Sequence, residues 1–313
     1  MVYKIILSSF FIFVSTVFSV SLEDAVKNIE NKKYDLAIEQ LTTLALQENH
    51  NAQYNLALLN YNGTGVEKNL ELAFFWYEQS AFAGNAYAQN NLGHMYFVGE
   101  GVKKDIKQAI FWYEKAAIQN HPYAQLNLGM YYERFIDKKN QALAFSWYLK
   151  AARQGVVVAQ NNLATMYYLG QGTKKDKNKA FYWYKKSAEA NDAAGQLNLG
   201  LMYLTGDEVV KKNVDLALSW LEKSALNGNK VAQLKFADIY REGNLVNIDY
   251  LKALKYYAMA AKQKSTKAMF YIGFFYFEGL GVRKDTAKAK IWMKRAETLG
   301  HERAKNFLIM NKM

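Results

Sequence analysis

The chain has 313 residues, a formal net charge of +12, a single proline and no cysteine. With 51% hydrophobic residues it is neither a disordered polar chain nor a collagen-like or proline-rich one. The lack of cysteine removes disulfide frameworks, thiolate nucleophiles, Cys-ligated zinc and a lipid-modified N-terminal cysteine.

In chain order, the first element is a targeting segment. Lys4 precedes an uncharged run from Ile5 to Leu22, whose apolar part ends in the small-x-small pattern Ser19-Val20-Ser21. This pattern predicts a signal peptide over 1–21, cleaved after Ser21. The alternative is a retained N-terminal anchor, although the run is 18 residues long and carries five serines and a threonine, near the lower limit for spanning a bilayer. Either way the remainder is expected outside the cytoplasm, periplasmic or secreted. Residues 22–51 then read as a capping helix pair, with helices at Glu23–Asn31 and Tyr34–Gln47.

From residue 52 a repeat takes over. Gly63, Gly99, Gly170, Gly206, Gly243 and Gly279 recur at steps of 36 or 37 with one doubled step, and Trp76, Trp112, Trp147, Trp183, Trp220 and Trp292 nearly match them, with Tyr256 filling the gap. A period of this size means stacked supersecondary units. Seven units are expected at 52–87, 88–123, 124–158, 159–194, 195–231, 232–267 and 268–303, and residues 304–313 form a C-terminal capping helix.

Each unit reads as two helices. The first starts at Ala52, Ala88, Ala124, Ala159, Gly195, Ala232 or Ala268, with a large apolar residue four positions on and a small one after it (Leu92-Gly93 in the second unit). A Gly-x-Gly turn follows at Gly63/Gly65, Gly99/Gly101, Gly170/Gly172 and Gly279/Gly281. The second helix is expected to begin at Asn69, Asp105, Asn140, Asp176, Asn213, Asp249 or Asp285, all types whose side-chain oxygen accepts from a free backbone N–H. An alanine sits four residues on in all seven, and Gly84, Asn120, Gly155, Asn191, Gly228, Lys264 and Gly300 mark the ends. Unit three departs, with Phe135-Ile136-Asp137 where Gly-x-Gly should stand.

The unit Ala88-Gln-Asn-Asn-Leu-Gly-His-Met-Tyr96, followed by Gly99-Glu-Gly, Asp105, Ala109, Trp112-Tyr113 and Ala116-Ala117, resembles the Sel-one-like repeat, a branch of the tetratricopeptide class. The resemblance covers 52–303. It implies an all-α, right-handed α/α superhelical solenoid of antiparallel helix pairs, used mainly as a protein-interaction scaffold. Bacterial members are often exported and linked to envelope processes, signalling or host contact. Some cysteine-rich relatives carry a β-lactamase label, but this chain lacks their cysteines.

The residues themselves show no catalytic constellation. Gly-x-Ser-x-Gly, Ser-x-x-Lys, His-Glu-x-x-His and the phosphate-cradling Gly-x-x-x-x-Gly-Lys-Ser/Thr are all missing. Catalytic, metal and cofactor sites are therefore expected to be none. His50, His94, His121 and His301 hold non-equivalent places and read as surface residues, and the Trp-Tyr pairs read as packing residues.

Two surfaces are candidates for binding. Basic pairs precede most second helices, at Lys103-Lys104, Lys138-Lys139, Lys174-Lys175, Lys211-Lys212 and Arg283-Lys284, whereas unit six has Asn247-Ile248. Stacking would align them as a ridge, either as solvated turn residues or as an attractor of acidic proteins or an anionic envelope surface. On the first helix, the positions of Asn90, His94 and Phe97 face away from the packing stripe. The marginal track of Asn91, Asn127, Asn162 and Asn198 is a candidate for holding an extended peptide backbone, with selectivity from the varied track of His94, Met130, Thr165 and Leu201. Equally, the asparagines suit hydrogen bonding within the repeat.

The expected function is an exported, non-catalytic scaffold for a protein or peptide partner. The alternative is an envelope enzyme acting on peptidoglycan or β-lactams. RNA binding fits the basic charge, but the export signal argues against it and no nucleic acid is expected.

Overall fold

The computed structural model describes residues 20–134 and 137–313, and the expected leader, apart from Val20 and Ser21, lies outside the described residues. Among the described residues there are seventeen α-helices and no strand. They are α1 (Leu22–Glu30), α2 (Tyr34–Leu46), α3 (His50–Asn62), α4 (Leu70–Phe82), α5 (Ala86–Val98), α6 (Ile106–Ile118), α7 (Pro122–Glu133), α8 (Lys138–Arg153), α9 (Val157–Leu169), α10 (Lys177–Glu189), α11 (Ala193–Thr205), α12 (Val214–Leu226), α13 (Lys230–Glu242), α14 (Tyr250–Lys262), α15 (Thr266–Glu278), α16 (Thr286–Thr298) and α17 (Glu302–Met310). No helix among them is long and apolar enough to cross a membrane.

The chain divides into two compact units, Met1–Leu128 and Gly129–Met313, the division falling within α7. In each unit helices neighbouring in sequence pack as pairs, and each pair packs on the next. The core of the first unit is built on Leu41, Tyr77, Leu92 and Met95, that of the second on Phe236, Tyr256, Tyr257 and Phe275. Burying side chains of this size stabilises by roughly 1.5–3 kcal/mol each.

The recurring small residue of the first helix is where the second helix comes closest. A Cβ on Gly93 would stand 2.9 Å from the Tyr113 ring, and one on Gly129 2.5 Å from the Tyr148 ring. The aromatic buried in most units is thus the one after the tryptophan position: Tyr77, Tyr113, Tyr148, Tyr184 and Tyr257 are all buried. Trp76 and Trp112 are buried as well, while Trp147, Trp183, Trp220 and Trp292 are half-buried.

Six of the seven expected second-helix caps stand where the sequence puts them. Asn69, Asp105, Asp176, Asn213, Asp249 and Asp285 each accept a backbone N–H from the first turn. Asn140 does not cap. In unit three Asp137 takes that role, accepting from the Asn140 N–H at 3.0 Å, and α8 starts at Lys138.

All seven expected closing residues have positive φ, including Lys264 at 60°. The first helices begin two residues before the expected alanines. Their caps sit right after the closing residue: Asn49, Asn85, Asp192, Asn229 and Ser265 accept from the N–H three positions on. Of the three residues in each connection, the last two are therefore used, one to close a helix and the next to open another.

A buried glutamine locks each pair to the one before. The Nε2 of Gln53, Gln89, Gln125, Gln160, Gln196 and Gln233 donates to the carbonyl of Ala45, Ala81, Ala117, Ala152, Ala188 and Ala225 respectively. Unit seven has Met269 at this place. Each carbonyl already accepts the N–H of the closing residue, as Ala81 does from Gly84 at 3.0 Å, and the glutamine fills its second lone pair.

Candidate protein-interaction surface

The first helices carry the two tracks. In the first unit Ala88 and Leu92 are buried, Asn91 is half-buried and His94 is exposed. Asn127 Nδ2 donates to Asn90 Oδ1 at 3.1 Å, and Asn90 Nδ2 to Asn91 Oδ1 at 3.2 Å. The Asn91 amide also hydrogen-bonds to the hydroxyls of Tyr54 and Tyr77, whose phenols burial pushes above their usual range. The second unit repeats this: Asn198 donates to Asn161 at 2.9 Å and Asn161 to Asn162 at 3.3 Å, with Asn162 against the Tyr148 hydroxyl. The asparagines thus bridge α5 to α7 in the first unit and α9 to α11 in the second.

The varied track is more open. Met130 is 44% exposed. Thr165 and Leu201 are half-buried, and the Thr165 hydroxyl lies 2.9 Å from that of Tyr184. Further along lies a charged network that no sequence pattern announces. Asp238 accepts from the Tyr257 hydroxyl at 2.6 Å and pairs with Lys267 at 2.7 Å, while the Arg241 guanidinium lies 4.4 Å over the Tyr271 ring. The only hint was that Lys235 and Tyr271 break the asparagine track.

The basic pairs are exposed at Lys103, Lys104, Lys138, Lys139, Lys174, Lys175, Lys211 and Lys212, and none of these forms an ion pair among the described residues. In three of these pairs the second member leans on the ring seven residues earlier, Lys104 over Phe97, Lys175 over Tyr168 and Lys284 over Phe277, at 5.3–5.9 Å. The ring holds the ammonium by its π-face, which leaves the first member free. Lys138 and Lys139 differ, since they lie within the first turn of α8 rather than before a cap.

The histidines divide. His50 and His94 are exposed. His121, expected at the surface, is instead buried at 6% exposure, because its Nδ1 caps α7 by accepting the Ala124 N–H at 3.2 Å while its ring meets Tyr87 edge-on. His301 caps α17 in the same way and stacks on Phe270. Among the described residues no three His, Cys, Asp or Glu side chains gather as a metal site.

Stacked helix pairs with an internally bonded interior and a varied outward track on one helix of each pair define a repeat scaffold of the tetratricopeptide-like class. The chain belongs to the Sel1 repeat family, whose repeat matches at 50–85, 86–121, 122–156, 157–192, 193–229, 230–265 and 266–301. It is similar in structure to c5321, a protective antigen present in uropathogenic Escherichia coli strains, at 32% identity and TM-score 0.77, covering 87% of this chain and 58% of that one. A Sel1 repeat protein from Oxalobacter formigenes is similar at 29% identity and TM-score 0.75, covering 93% and 87%. Protein sel-1 homolog 2 of Mus musculus is 35% identical over 81 residues, which is 26% of this chain and only 12% of that protein. The Sel1 repeat is a scaffold fold typical of protein–protein interaction.

Proposed function

We propose that the chain is an exported, non-catalytic scaffold that holds a protein or peptide partner on the outward track of its first helices. The observation that carries this is the contrast along those helices. One track is spent on internal bonds among near-constant asparagines, while the adjacent one varies from His94 to Met130 to Thr165 and stays accessible. Variation at a fixed, accessible place is what selectivity requires of a repeat surface. In this reading Asn91, Asn127, Asn162 and Asn198 align the helices and offer their remaining amide groups to a backbone, and His94, Met130, Thr165 and Leu201 choose the partner. The apolar run after Lys4 supports export, as does the similar Escherichia coli protein being a protective antigen.

The test is affinity capture from envelope and host extracts with the wild-type chain and with His94→Glu and Met130→Glu, read by mass spectrometry. Loss of the same partner in a variant whose unfolding midpoint is unchanged supports the assignment. Undiminished capture by both variants refutes it.

A further inference from the structure

In the row of turns between first and second helices, unit six carries Asn247-Ile248 with no basic residue, and a cavity lies there. Successive turns along this edge are neighbours: Lys177 at the start of α10 reaches Asp207 in the next turn at 3.1 Å, and a Cβ on Gly281 would stand 2.7 Å from that of Tyr250. Lys211-Lys212 and Arg283-Lys284 are exposed and in no ion pair among the described residues. Between them unit six carries Asn247-Ile248, with Ile248 53% and Leu251 64% exposed. A cavity of about 480 Å³ opens at this point, lined chiefly by Tyr240, Val246, Ile248, Tyr250, Leu251 and Gly281. Asp249 also borders it, but one of its oxygens is engaged by the Lys252 N–H as a helix cap. Lys252 itself donates to the Tyr240 hydroxyl and adds positive charge beside the cavity.

We infer that this edge is a second binding site, separate from the first-helix tracks, and that it takes an extended acidic peptide with one apolar side chain between its acidic residues. The apolar residue enters the cavity of unit six, and the flanking carboxylates meet Lys211-Lys212 on one side and Arg283-Lys284 on the other. The two basic pairs belong to the units on either side of unit six, so one extended segment running along the edge meets both with the cavity between them. Lysine predominates over arginine in these pairs, and it attracts an anion as a point charge without fixing its orientation, which suits carboxylates carried on a flexible chain.

The experiment titrates the full chain with a labelled synthetic peptide, acidic at both ends with a central leucine, and with the same peptide carrying serine there. The wild-type chain binds the leucine peptide about tenfold more tightly, and added salt weakens both. Ile248→Lys restores the residue type found at this place in other units, so it folds, and it removes the difference between the two peptides. Lys211→Glu with Lys212→Glu weakens both peptides and shrinks the salt-sensitive part, which Arg283-Lys284 retains in reduced form. Equal binding of the two peptides by the wild type overturns the inference, as does no binding of either. Stronger binding to anionic phospholipid vesicles or to RNA than to the leucine peptide also overturns it. His94 and Met130 take no part, so the first-helix reading can fail while this one stands.

Discussion

Gly101 rests on the backbone of Leu70: a Cβ at the glycine would stand 2.3 Å from the Leu70 carbonyl oxygen. The relation recurs 31 residues apart, as a Cβ on Gly172 would stand 2.1 Å from the Gln141 carbonyl oxygen. The second glycine of Gly-x-Gly is thus the point where one unit is pressed against the second helix of the previous one. Its φ of 66° adds a conformational demand. Gly101→Ala should destabilise the chain by about 3 kcal/mol, through overlap and a left-handed alanine together. Gly84→Ala, with φ of 95° and nothing within 4 Å, should cost about 1 kcal/mol. Chemical denaturation of both variants measures the difference, and equal losses would deny the contact its role.

The buried glutamines yield a stabilising prediction. The residue just before the closing one donates to the glutamine oxygen where it is long enough, as Gln119 does to Gln89, Asn227 to Gln196 and Gln263 to Gln233. Ala83 and Ala190 occupy the equivalent places in the units of Gln53 and Gln160, whose Oε1 atoms are buried without a partner. Ala83→Gln and Ala190→Gln should each stabilise by about 1 kcal/mol. Both alanines are exposed, so a longer side chain meets no obstruction. Unchanged midpoints for both variants would contradict the pairing rule.

The histidine caps make stability depend on pH. Burial holds the His121 imidazole below its ordinary pKa, and burial with Arg303 nearby does the same for His301. Since the unfolded chain binds protons more readily, near pH 6.5, stability is full above that value and falls as the pH drops from there through the folded values. Protonated Nδ1 can no longer accept the Ala124 or Ala304 N–H. The unfolding midpoint should fall between pH 7.5 and 5.5. His121→Asn, which keeps a cap without a titrating group, should flatten much of that slope. A wild-type midpoint that does not fall over this range would refute it.

How much of this was legible in the sequence depended on whether a feature repeats. Caps such as Asp105 and closing residues such as Asn120 were readable, because backbone geometry admits few residue types there and seven copies show the same choice. The start of the first helix was not. The alanine at Ala88 marks the packing stripe, whereas the helix opens at Asn85, in the shadow of the closing Gly84. Gln89 escaped notice because a glutamine on a helix reads as polar surface, and only the packed pair shows it reaching the Ala81 carbonyl. The histidine cap occurs only at His121 and His301 and the Asp238 network once, so no period announced them.

The cap of α1 bears on export. Ser21 Oγ caps α1 by accepting the Asp24 N–H at 3.0 Å. Processing after Ser21 removes that cap, at a cost of about 1 kcal/mol. N-terminal sequencing of the chain recovered from outside the cytoplasm should find Leu22 first, with α1 less protected than α2 in hydrogen exchange. A chain recovered with Met1 in place would favour the retained anchor instead.

Hydrogen–deuterium exchange of the full chain, with and without its captured partner, tests the scaffold reading most directly. Protection confined to α5, α7, α9 and α11, including the segments around His94, Met130, Thr165 and Leu201, is the expected result. Protection on the second helices α6, α8, α10 and α12 with the first helices unchanged would contradict it.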